Sequence, residues 1–331
     1  MGGRHQAQQY PFAGHSYLLE NTGVQQGIPK FVDCTEKLGE GLARVGMVTD
    51  AVWVDYDNDG DRDLIVVGEW MSPTVFANQN GQFVNITEDS GLENFTGWWF
   101  SLAPGDFDND GDIDFVAGNL GLNYKYKASA ETPFKVYAGD LDDNGKNDIV
   151  LGYYNEKTVF PVRGLQCSSE QMPILKAKFT SYNDFASSSL EDVYGTHALE
   201  NSNLLEATHF ASSYLENLGD GKFKVITLPV QAQFSSVNDI LVGDYNGDGY
   251  LDAIIAGNLH AAEVETTRND ASIGLLLTGN GKGTFSAVPY ANSGLCMRND
   301  VKQLGVINSA EKQLIFVANN NELLQVFVRP K

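Results

Sequence analysis

The sequence predicts an all-β fold of short antiparallel sheets, and three observations support this prediction. An acidic nine-residue pattern occurs four times, each copy lies between apolar and β-branched runs, and Gly-rich turns recur between the copies. Units of four short antiparallel strands, repeated at roughly 50 residues, are typical of β-propeller blades. We therefore expect a single β-propeller over residues 1–331. It would contain about five four-stranded blade cores, an N-terminal outer hairpin and a small helical insertion.

The acidic pattern is clearest at residues 106–114, which read Asp-Phe-Asp-Asn-Asp-Gly-Asp-Ile-Asp. Carboxylates at positions 1, 3, 5 and 9 of so tight a loop repel one another unless a cation lies among them. Hard oxygen ligands in that number suit Ca²⁺, which takes about six to eight of them. The glycine at position 6 permits the positive φ that turns the loop, and position 7 would offer its backbone carbonyl.

We number the four acidic segments loops 1 to 4; they begin at residues 55, 106, 140 and 244. Asn144 and Asn246 replace a carboxylate, which should weaken the third and fourth sites modestly. The predicted Ca²⁺ ligands at positions 1, 3, 5, 7 and 9 are Asp55, Asp57, Asp59, Asp61, Asp63; Asp106, Asp108, Asp110, Asp112, Asp114; Asp140, Asp142, Asn144, Lys146, Asp148; and Asp244, Asn246, Asp248, Tyr250, Asp252.

These loops are not EF-hands. An EF-hand places a glutamate at position 12 and lies between two helices. Here the twelfth residues are all apolar: Val66, Ala117, Leu151 and Ile255. Runs such as Leu64-Ile-Val-Val after loop 1 are typical of strands, so the sequence predicts calcium loops on β-hairpins.

The rest of the chain supplies the outer strands. A hairpin is expected within residues 16–35, and a last unit without calcium ligands within residues 301–328. The hairpin could complete that last unit, or the chain could form part of a larger ring. The loop starts are spaced by 51, 34 and 104 residues, which predicts a compressed second blade and an insertion in the third. Apolar residues at mixed 3 and 4 spacing predict that this insertion is helical, at about 166–200.

Composition excludes several classes of function. The formal net charge of −21 argues against nucleic acid and anionic membrane surfaces as partners. No run approaches eighteen apolar residues, so no membrane insertion is expected. Three widely spaced cysteines form neither a disulfide framework nor a metal cluster. The first residues lack the apolar region of a signal peptide.

A second pattern marks the ends of the second strands, where glycine or alanine precedes polar and aromatic residues. In a propeller these positions converge on one face near the axis. Amides and aromatic rings there suit a sugar or a peptide loop, whereas the alternative is that they serve only the turns. The candidate ligand-binding residues are Glu69, Trp70, Asn119, Asn123, Tyr153, Asn258, Glu263, Arg268 and Asn319.

The acidic loops with their following strands, such as Asp-Phe-Asp-Asn-Asp-Gly-Asp-Ile-Asp-Phe-Val-Ala-Gly-Asn, resemble FG-GAP/VCBS repeats of integrin-α-like β-propellers. Together with Gly97-Trp-Trp-Phe-Ser-Leu-Ala and Ser212-Ser-Tyr-Leu-Glu-Asn-Leu-Gly, they resemble bacterial surface proteins associated with ASPIC/UnbV modules and related to cartilage acidic protein. The resemblance covers roughly residues 15–330. It implies a calcium-stabilised, exported propeller that serves as a binding or adhesion scaffold.

The resemblance also implies that the chain starts within a blade, so other domains of a longer parent chain are expected. The function predicted is a non-enzymatic Ca²⁺-binding scaffold at the cell surface, in the periplasm or outside the cell, with a protein or glycan ligand at its axial face. The alternative is a polysaccharide lyase or glycoside hydrolase that uses Glu69, Tyr153 and Arg268 on that face.

Overall fold

The computed structural model describes residues 1–262 and 265–330. This part of the chain is mostly β-structure. Its strands are β1 (Leu19–Gln25), β2 (Ile28–Asp33), β3 (Met47–Val54), β4 (Asp63–Met71), β5 (Thr74–Gln79), β6 (Gln82–Asn85), β7 (Gly97–Trp98), β8 (Ser101–Gly105), β9 (Asp114–Gly118), β10 (Phe134–Gly139), β11 (Asp148–Asn155), β12 (Thr158–Pro161), β13 (Asn203–Ala207), β14 (Ser213–Asn217), β15 (Phe223–Thr227), β16 (Asp239–Gly243), β17 (Asp252–Ala256), β18 (Leu275–Gly279), β19 (Phe285–Val288), β20 (Val301–Asn308), β21 (Lys312–Asn319) and β22 (Gln325–Pro330).

The helices are few and short. Over the described ranges they are α1 (Thr35–Leu38), α2 (Leu165–Gln171), α3 (Leu175–Lys178), α4 (Tyr182–Ala186), α5 (Leu190–Tyr194), α6 (Thr196–Glu200) and α7 (Tyr290–Ser293), with 3₁₀ turns at Leu42–Arg44 and Val230–Gln233. None of these described helices has the length and apolar character needed to span a bilayer.

Most strands belong to antiparallel sheets. Sheet A contains β3 to β6 with β7 beside β4, sheet B contains β8, β9, β14 and β15, sheet C contains β16 to β19, and sheet D contains β20 to β22. The first strands β3, β8, β16 and β20 lie side by side in that order. This arrangement is consistent with a β-propeller, in which the first strands surround the axis.

The hydrophobic cores lie between the faces of neighbouring sheets. Because a sheet in such a stack is covered on both faces, its second strand is apolar at nearly every position and does not alternate. Strand β4 is buried along its whole length. The cores pair Val67 with Phe115 between sheets A and B, Tyr214 with Leu277 between B and C, and Ile254 with Ile315 between C and D.

Neighbouring sheets are also joined by one repeated side-chain contact, made five residues before loops 1, 2 and 4. The carboxylate of Asp50 accepts a hydrogen bond from the backbone N–H of Leu102 in sheet B, at 2.8 Å. The carboxylate of Asp239 accepts one from the N–H of Leu304 in sheet D. Ser101, at the equivalent position of sheet B, donates its hydroxyl to the carbonyl of Val237 at 3.0 Å. Each contact therefore binds one first strand to the next sheet.

The third acidic loop does not belong to this series of sheets. Strands β10 to β13 form a separate four-stranded sheet, which we call the inserted sheet, and it lies in the chain between β9 and β14 of sheet B. The expectation of a compressed second blade is wrong. The 34-residue spacing arises because the inserted sheet begins before sheet B is complete. Helices α2 to α6 lie between its strands β12 and β13 and pack on it through Leu190 and Val193.

The series ends in an incomplete sheet in the described residues. Strands β1 and β2 form a sheet of their own and do not extend sheet D. Sheet D has three strands, and the face that it turns away from sheet C is apolar. On that face Ile307, Val326 and Val328 are exposed, and Leu314 and Phe316 are half-buried.

The glycines that end the second strands are required by close packing. A Cβ atom added to Gly257 would lie 1.9 Å from the carbonyl oxygen of Ser236, and one added to Gly68 would lie 2.2 Å from that of Met47. Contacts this short force the backbone to shift. The Gly-x pattern of the sequence therefore marks points where a second strand passes close to the start of the first strand of its sheet.

We expect Gly257→Ala to lower the free energy of unfolding by about 1–3 kcal/mol, the usual range for overpacking. Gly305→Ala is the matched control, because a Cβ at Gly305 meets no atom within 4 Å. Its effect should stay within about 0.5 kcal/mol. Urea denaturation of both variants measures the difference, and equal midpoints would contradict this explanation.

Candidate metal centres and the axial face

Each acidic loop is folded back by two residues with positive φ, at positions 4 and 6. Position 4 has φ of 59° at Asn58 and 61° at Asn109, and the glycines at position 6 have φ between 81° and 97°. Glycine, asparagine and aspartate adopt this left-handed conformation most readily. Position 6 was anticipated from the sequence, whereas the role of position 4 was not.

The aspartate at position 9 is the most deeply buried residue of each loop. Asp63, Asp114, Asp148 and Asp252 are all 2% exposed or less. In every loop one of its oxygens accepts the backbone N–H of position 2, at distances from 2.8 to 3.2 Å. In sheets A, B and C the other oxygen accepts a backbone N–H of the third strand, at 2.8 to 3.0 Å. Position 9 therefore fastens the loop to the third strand of its own sheet.

Three of the loops bring acidic side chains together in a way that could hold a metal ion. The carboxylates at positions 1, 3 and 9 offer oxygen atoms within 4.8 Å of one another. These groups are Asp55, Asp57 and Asp63; Asp106, Asp108 and Asp114; and Asp140, Asp142 and Asp148.

The residues also fit a cation by a second criterion, because each of these loops holds a buried carboxylate oxygen without a hydrogen-bond donor. These oxygens are Oδ1 of Asp55, Oδ1 of Asp106 and Oδ1 of Asp142. Oδ1 of Asp112, whose side chain is 8% exposed, also lacks a hydrogen-bond donor. A buried carboxylate oxygen without a partner is destabilising, and a divalent cation is the natural partner for several that converge.

Positions 5 and 7 have other neighbours. The side chain at position 5 accepts the backbone N–H of position 7, as an Asx turn does. Asp59, Asp110, Asn144 and Asp248 make this bond at 2.8 to 3.1 Å. At position 7 the side chains of Asp61, Lys146 and Tyr250 are exposed, and only that of Asp112 is buried. The position 7 carbonyl stays a predicted ligand.

Loop 4 has an asparagine, Asn246, at position 3, where the other three loops have aspartate. Asp244 accepts backbone N–H groups from Gly247, Asp248 and Gly249, at 2.6 to 3.2 Å. The amide of Asn246 donates to Oδ2 of Asp248 at 2.7 Å. Among the described residues, loop 4 forms no acidic triad of the kind found in loops 1 to 3. Its predicted ligands are therefore already hydrogen-bonded to one another and to the backbone.

The protonation of these carboxylates follows from burial and mutual repulsion. Burial, together with the charge of the nearby Asp110, raises the pKa of Asp112 to about 7. Burial also raises the pKa of Asp114 to about 6, although hydrogen bonds from Tyr214, Asn217 and Phe107 oppose this. A positive ion in loop 2 would favour the charged forms and displace these protons.

Loops 1 and 2 lie against each other. The side-chain amide of Asn217 in β14 donates to the carbonyl of Tyr56 in loop 1 at 2.7 Å and to that of Ile113 in loop 2 at 3.2 Å. The amide of Asn58 reaches the carbonyl of Gly111 at 3.4 Å. The loops of sheets A and B therefore form a continuous acidic surface beyond the ends of their first strands.

A cavity of about 650 Å³ opens at the opposite ends of the first strands. Two of its cations are paired, Lys302 with Asp300 at 2.7 Å and Arg4 with the buried Glu69. The lining is charged and polar: Arg4, Val48, Thr49, Asp50, Phe100, Asn238, Asp239, Leu259, Ala261, Asp300, Lys302, Gln303 and Asn320. Most of these residues carry no recognisable motif. Only the recurrence of Asp50 and Asp239 five residues before an acidic loop could have indicated them.

Four of the predicted ligand-binding residues are buried inside the protein. Asn119 donates to the carbonyl of His209, and Asn258 donates to the carbonyls of Ser272, Arg298 and Asn299. Glu69 pairs with Arg4, while Trp70 stacks on Phe134 and donates its indole N–H to Tyr10. These contacts turn all four side chains away from solvent.

The other predicted ligand-binding residues are more accessible but dispersed. Asn123 and Tyr153 are exposed, on the connection into the inserted sheet and on β11 of that sheet. Arg268 is exposed and lies 3.9 Å from Asp270, and Asn319 is half-buried at the end of β21. Glu263 lies outside the described residues. Within the described ranges no hydrogen bond or ion pair joins Glu69, Tyr153 and Arg268, the residues considered for a hydrolase or lyase.

Comparison with known proteins supports the reading of the acidic loops. Residues 55–117 match the model of the FG-GAP-like repeat family. The human T-cell immunomodulatory protein is 25% identical over 234 residues, which are 62% of this chain and 37% of that protein's length. A solved lectin from Agrocybe aegerita, described as recognising non-reducing terminal N-acetylglucosamine, covers 90% of this chain and 85% of its own at 13% identity. Its TM-score is 0.20, so this likeness carries no argument.

The family match spans loops 1 and 2 together with strands β4 to β8. These segments contain two of the three acidic triads and the buried position 9 aspartates Asp63 and Asp114. The chain thus carries FG-GAP-like repeat sequence at residues 55–117, as the pattern of its acidic loops predicted.

Proposed function

We propose that this protein is a calcium-stabilised β-propeller scaffold that binds a protein or glycan partner on its axial face and works outside the cytoplasm. The observation that carries the proposal is the set of buried carboxylate oxygens without donors in loops 1, 2 and 3. Bound Ca²⁺ would supply the positive charge that these oxygens lack. The residues that would hold it are the aspartates at positions 1, 3 and 9.

The donor set favours Ca²⁺ over other metals. All the converging atoms are carboxylate oxygens, and no histidine or cysteine belongs to the described triads. Such hard ligands suit Ca²⁺ or Mg²⁺, and the flexible geometry of Ca²⁺ accommodates irregular loops better than the strict octahedron of Mg²⁺. Extracellular modules bind Ca²⁺ with dissociation constants of about 10⁻⁴–10⁻³ M, which is why we propose an extracellular, periplasmic or surface location.

The role of the ion would be structural. Position 9 already binds the loop to the third strand, while position 1 immediately follows the first strand. An ion held between positions 1, 3 and 9 would add a further connection between the strands of one sheet. The proposal leaves the ion no part in catalysis, because the carboxylates that hold it could not act as acid or base.

The cavity at the start of the first strands, which we call the axial cavity, is our proposed recognition site on the predicted axial face. Amide, carboxylate and ammonium groups around its mouth, including Asn320, Gln303 and Lys302, can hydrogen-bond the hydroxyl groups of a glycan or the backbone of a peptide loop.

Further sheets of a longer parent chain are also part of the proposal. The exposed apolar face of sheet D, around Ile307 and Val326, is where such a sheet would pack.

We expect calcium to stabilise the protein, because an ion that binds only the folded state adds RT ln(1 + [L]/Kd) to the free energy of unfolding. This term is about 2.7 kcal/mol at a calcium concentration of 100 Kd. The melting temperature should rise from EDTA to millimolar CaCl₂ in a calorimetric scan. Asp106→Asn should reduce this rise, and Asp89→Asn, at an exposed residue outside the loops, should retain it. Identical melts in EDTA and CaCl₂ would refute the structural role of calcium.

We expect the metal-free protein to respond to pH through Asp112. Because its folded pKa of about 7 exceeds the usual unfolded value of about 3.9, the folded state holds a proton that the unfolded chain has lost, and stability falls as pH rises between these values. In EDTA, Asp112→Asn should therefore be more stable than the native protein at pH 7.5, on the order of 1 kcal/mol, and the gap should shrink at pH 5. A gap that stays constant across pH in urea denaturation would contradict this.

We expect glycan and peptide arrays to find a ligand that depends on the axial cavity. Lys302→Glu should weaken binding tenfold or more, about 1.4 kcal/mol, because it places a third acidic group beside Asp300 and Asp239. Lys222→Glu, at the turn between β14 and β15, is the matched control and should bind normally. Cleavage of a bound glycan, detected as new reducing ends, would instead favour an enzyme.

A further inference from the structure

Asp112, at position 7 of loop 2, is enclosed by the protein. It is 8% exposed, whereas the equivalent residues of the other loops, Asp61, Lys146 and Tyr250, are exposed. The turn between β14 and β15 covers it, and a Cβ atom added to Gly219 in that turn would lie 3.5 Å from Oδ2 of Asp112. Loop 2 therefore has a buried carboxylate where the other loops have a side chain in contact with water.

Nothing in the described structure compensates the charge of this carboxylate. Its Oδ1 accepts no hydrogen bond. None of the ion pairs between described residues includes Asp112. The charged groups that act on it most are Asp110, Asp114 and Asp108, which are all acidic. A buried carboxylate among like charges is destabilising, and a cation is the partner that it lacks.

Asp112 lies outside the group that would hold the first ion of loop 2. Ca²⁺ binds oxygen at about 2.3–2.6 Å, so two ligands of one ion lie at most about 5 Å apart. The carboxylate oxygens of Asp106, Asp108 and Asp114 meet this condition, because they lie within 4.8 Å of one another. Asp112 does not belong to that group. Its carboxylate therefore calls for a cation of its own.

Asp110 is the natural second ligand for such a cation. Of the acidic neighbours it acts most strongly on Asp112, and its Oδ1 accepts the backbone N–H of Asp112 at 3.1 Å. The side chain of Asp110 is exposed. Water can therefore reach an ion held between the two carboxylates and complete its coordination shell, as it does for Ca²⁺ and Mg²⁺ in many proteins.

The position of Asp112 gives such an ion a role, because loops 1 and 2 meet beside it. The carbonyl of Gly111, the preceding residue, accepts the amide of Asn58 in loop 1 at 3.4 Å. The two loops together contain ten aspartates. One divalent ion in each triad would neutralise four of these ten charges, and the remaining repulsion would act across the contact between sheets A and B.

We propose that loop 2 holds a second divalent cation, bound by the carboxylates of Asp112 and Asp110 beside the turn between β14 and β15, in addition to the ion of its triad. The second ion neutralises the junction of sheets A and B. This inference rests on the proposed calcium-binding function of the acidic loops.

The test counts the calcium ions bound to the full chain, by native mass spectrometry and by isothermal titration in CaCl₂. Asp106→Asn and Asp112→Asn should each lower the count by at least one, and the double variant should bind two ions fewer than the native protein. A double variant that loses one ion, or an Asp112→Asn variant that loses none, overturns the inference. A native protein that binds no calcium, or a full count in Asp106→Asn, overturns the proposed function of the loops instead.

Asp220→Asn is the matched control. Asp220 lies in the turn between β14 and β15, is exposed, and pairs with Lys222 at 3.8 Å. Its substitution removes one negative charge from the same region, and the native ion count should be retained. An ion lost from Asp220→Asn would mean that the count follows regional charge, which overturns the assignment to Asp112.

Thermal melts give a second readout, which also confirms that the variants fold. The rise in melting temperature from EDTA to millimolar CaCl₂ should be smaller in Asp112→Asn than in Asp220→Asn, because the first variant binds one ion fewer. Equal rises in the two variants would overturn the second site.

Discussion

The buried aspartate at position 9 is the interaction on which the rest of the structure depends. It is the one carboxylate of each acidic loop that is almost fully removed from water, and backbone N–H groups compensate for that burial. One oxygen holds the start of the loop, and in sheets A, B and C the other holds the third strand. Three strands of a sheet therefore meet at a single side chain.

The sheets themselves are held by packing on both faces. Each carries apolar residues toward both neighbours, so its stability depends on the sheets beside it, as in other repeat architectures. Close glycine crossings fix the approach of the second strand to the start of the first strand within a sheet. The carboxylates of Asp50 and Asp239 link adjacent sheets. The outer face of sheet D is such an apolar surface without a described sheet packed against it, and its apolar side chains are exposed or half-buried.

The two ends of the first strands have opposite characters. At one end the acidic loops of sheets A and B lie in contact, concentrating negative charge where a cation can be held. At the other end a cavity combines paired charges with amide side chains that donate to Asp239, Asp300 and backbone carbonyls. The inserted sheet begins close by, after β9. In the function that we propose, the acidic end serves stability and the cavity end serves recognition.

The sequence by itself determined the local features of this protein. Strands, Gly-rich turns and acidic loops are set by short-range patterns of residues, so the all-β character, the four loops and the short helices before residue 200 could be predicted. Tertiary structure decided which strands pair over long distances. Strands β9 and β14 are neighbours although a complete sheet separates them in sequence, and no local pattern encodes that pairing.

Burial was likewise decided only by the tertiary structure. Asn119 and Asn258 look like ligand residues in sequence because they are polar and follow strands, yet neighbouring segments enclose both amides. Loops 3 and 4 each have one asparagine for an aspartate, but at position 5 in loop 3 and at position 3 in loop 4, so the acidic triad of loop 3 could be predicted from the sequence. For Asn119 and Asn258 the reason is physical, because the burial of a side chain depends on which distant segments pack around it, and residue spacing alone does not specify that packing.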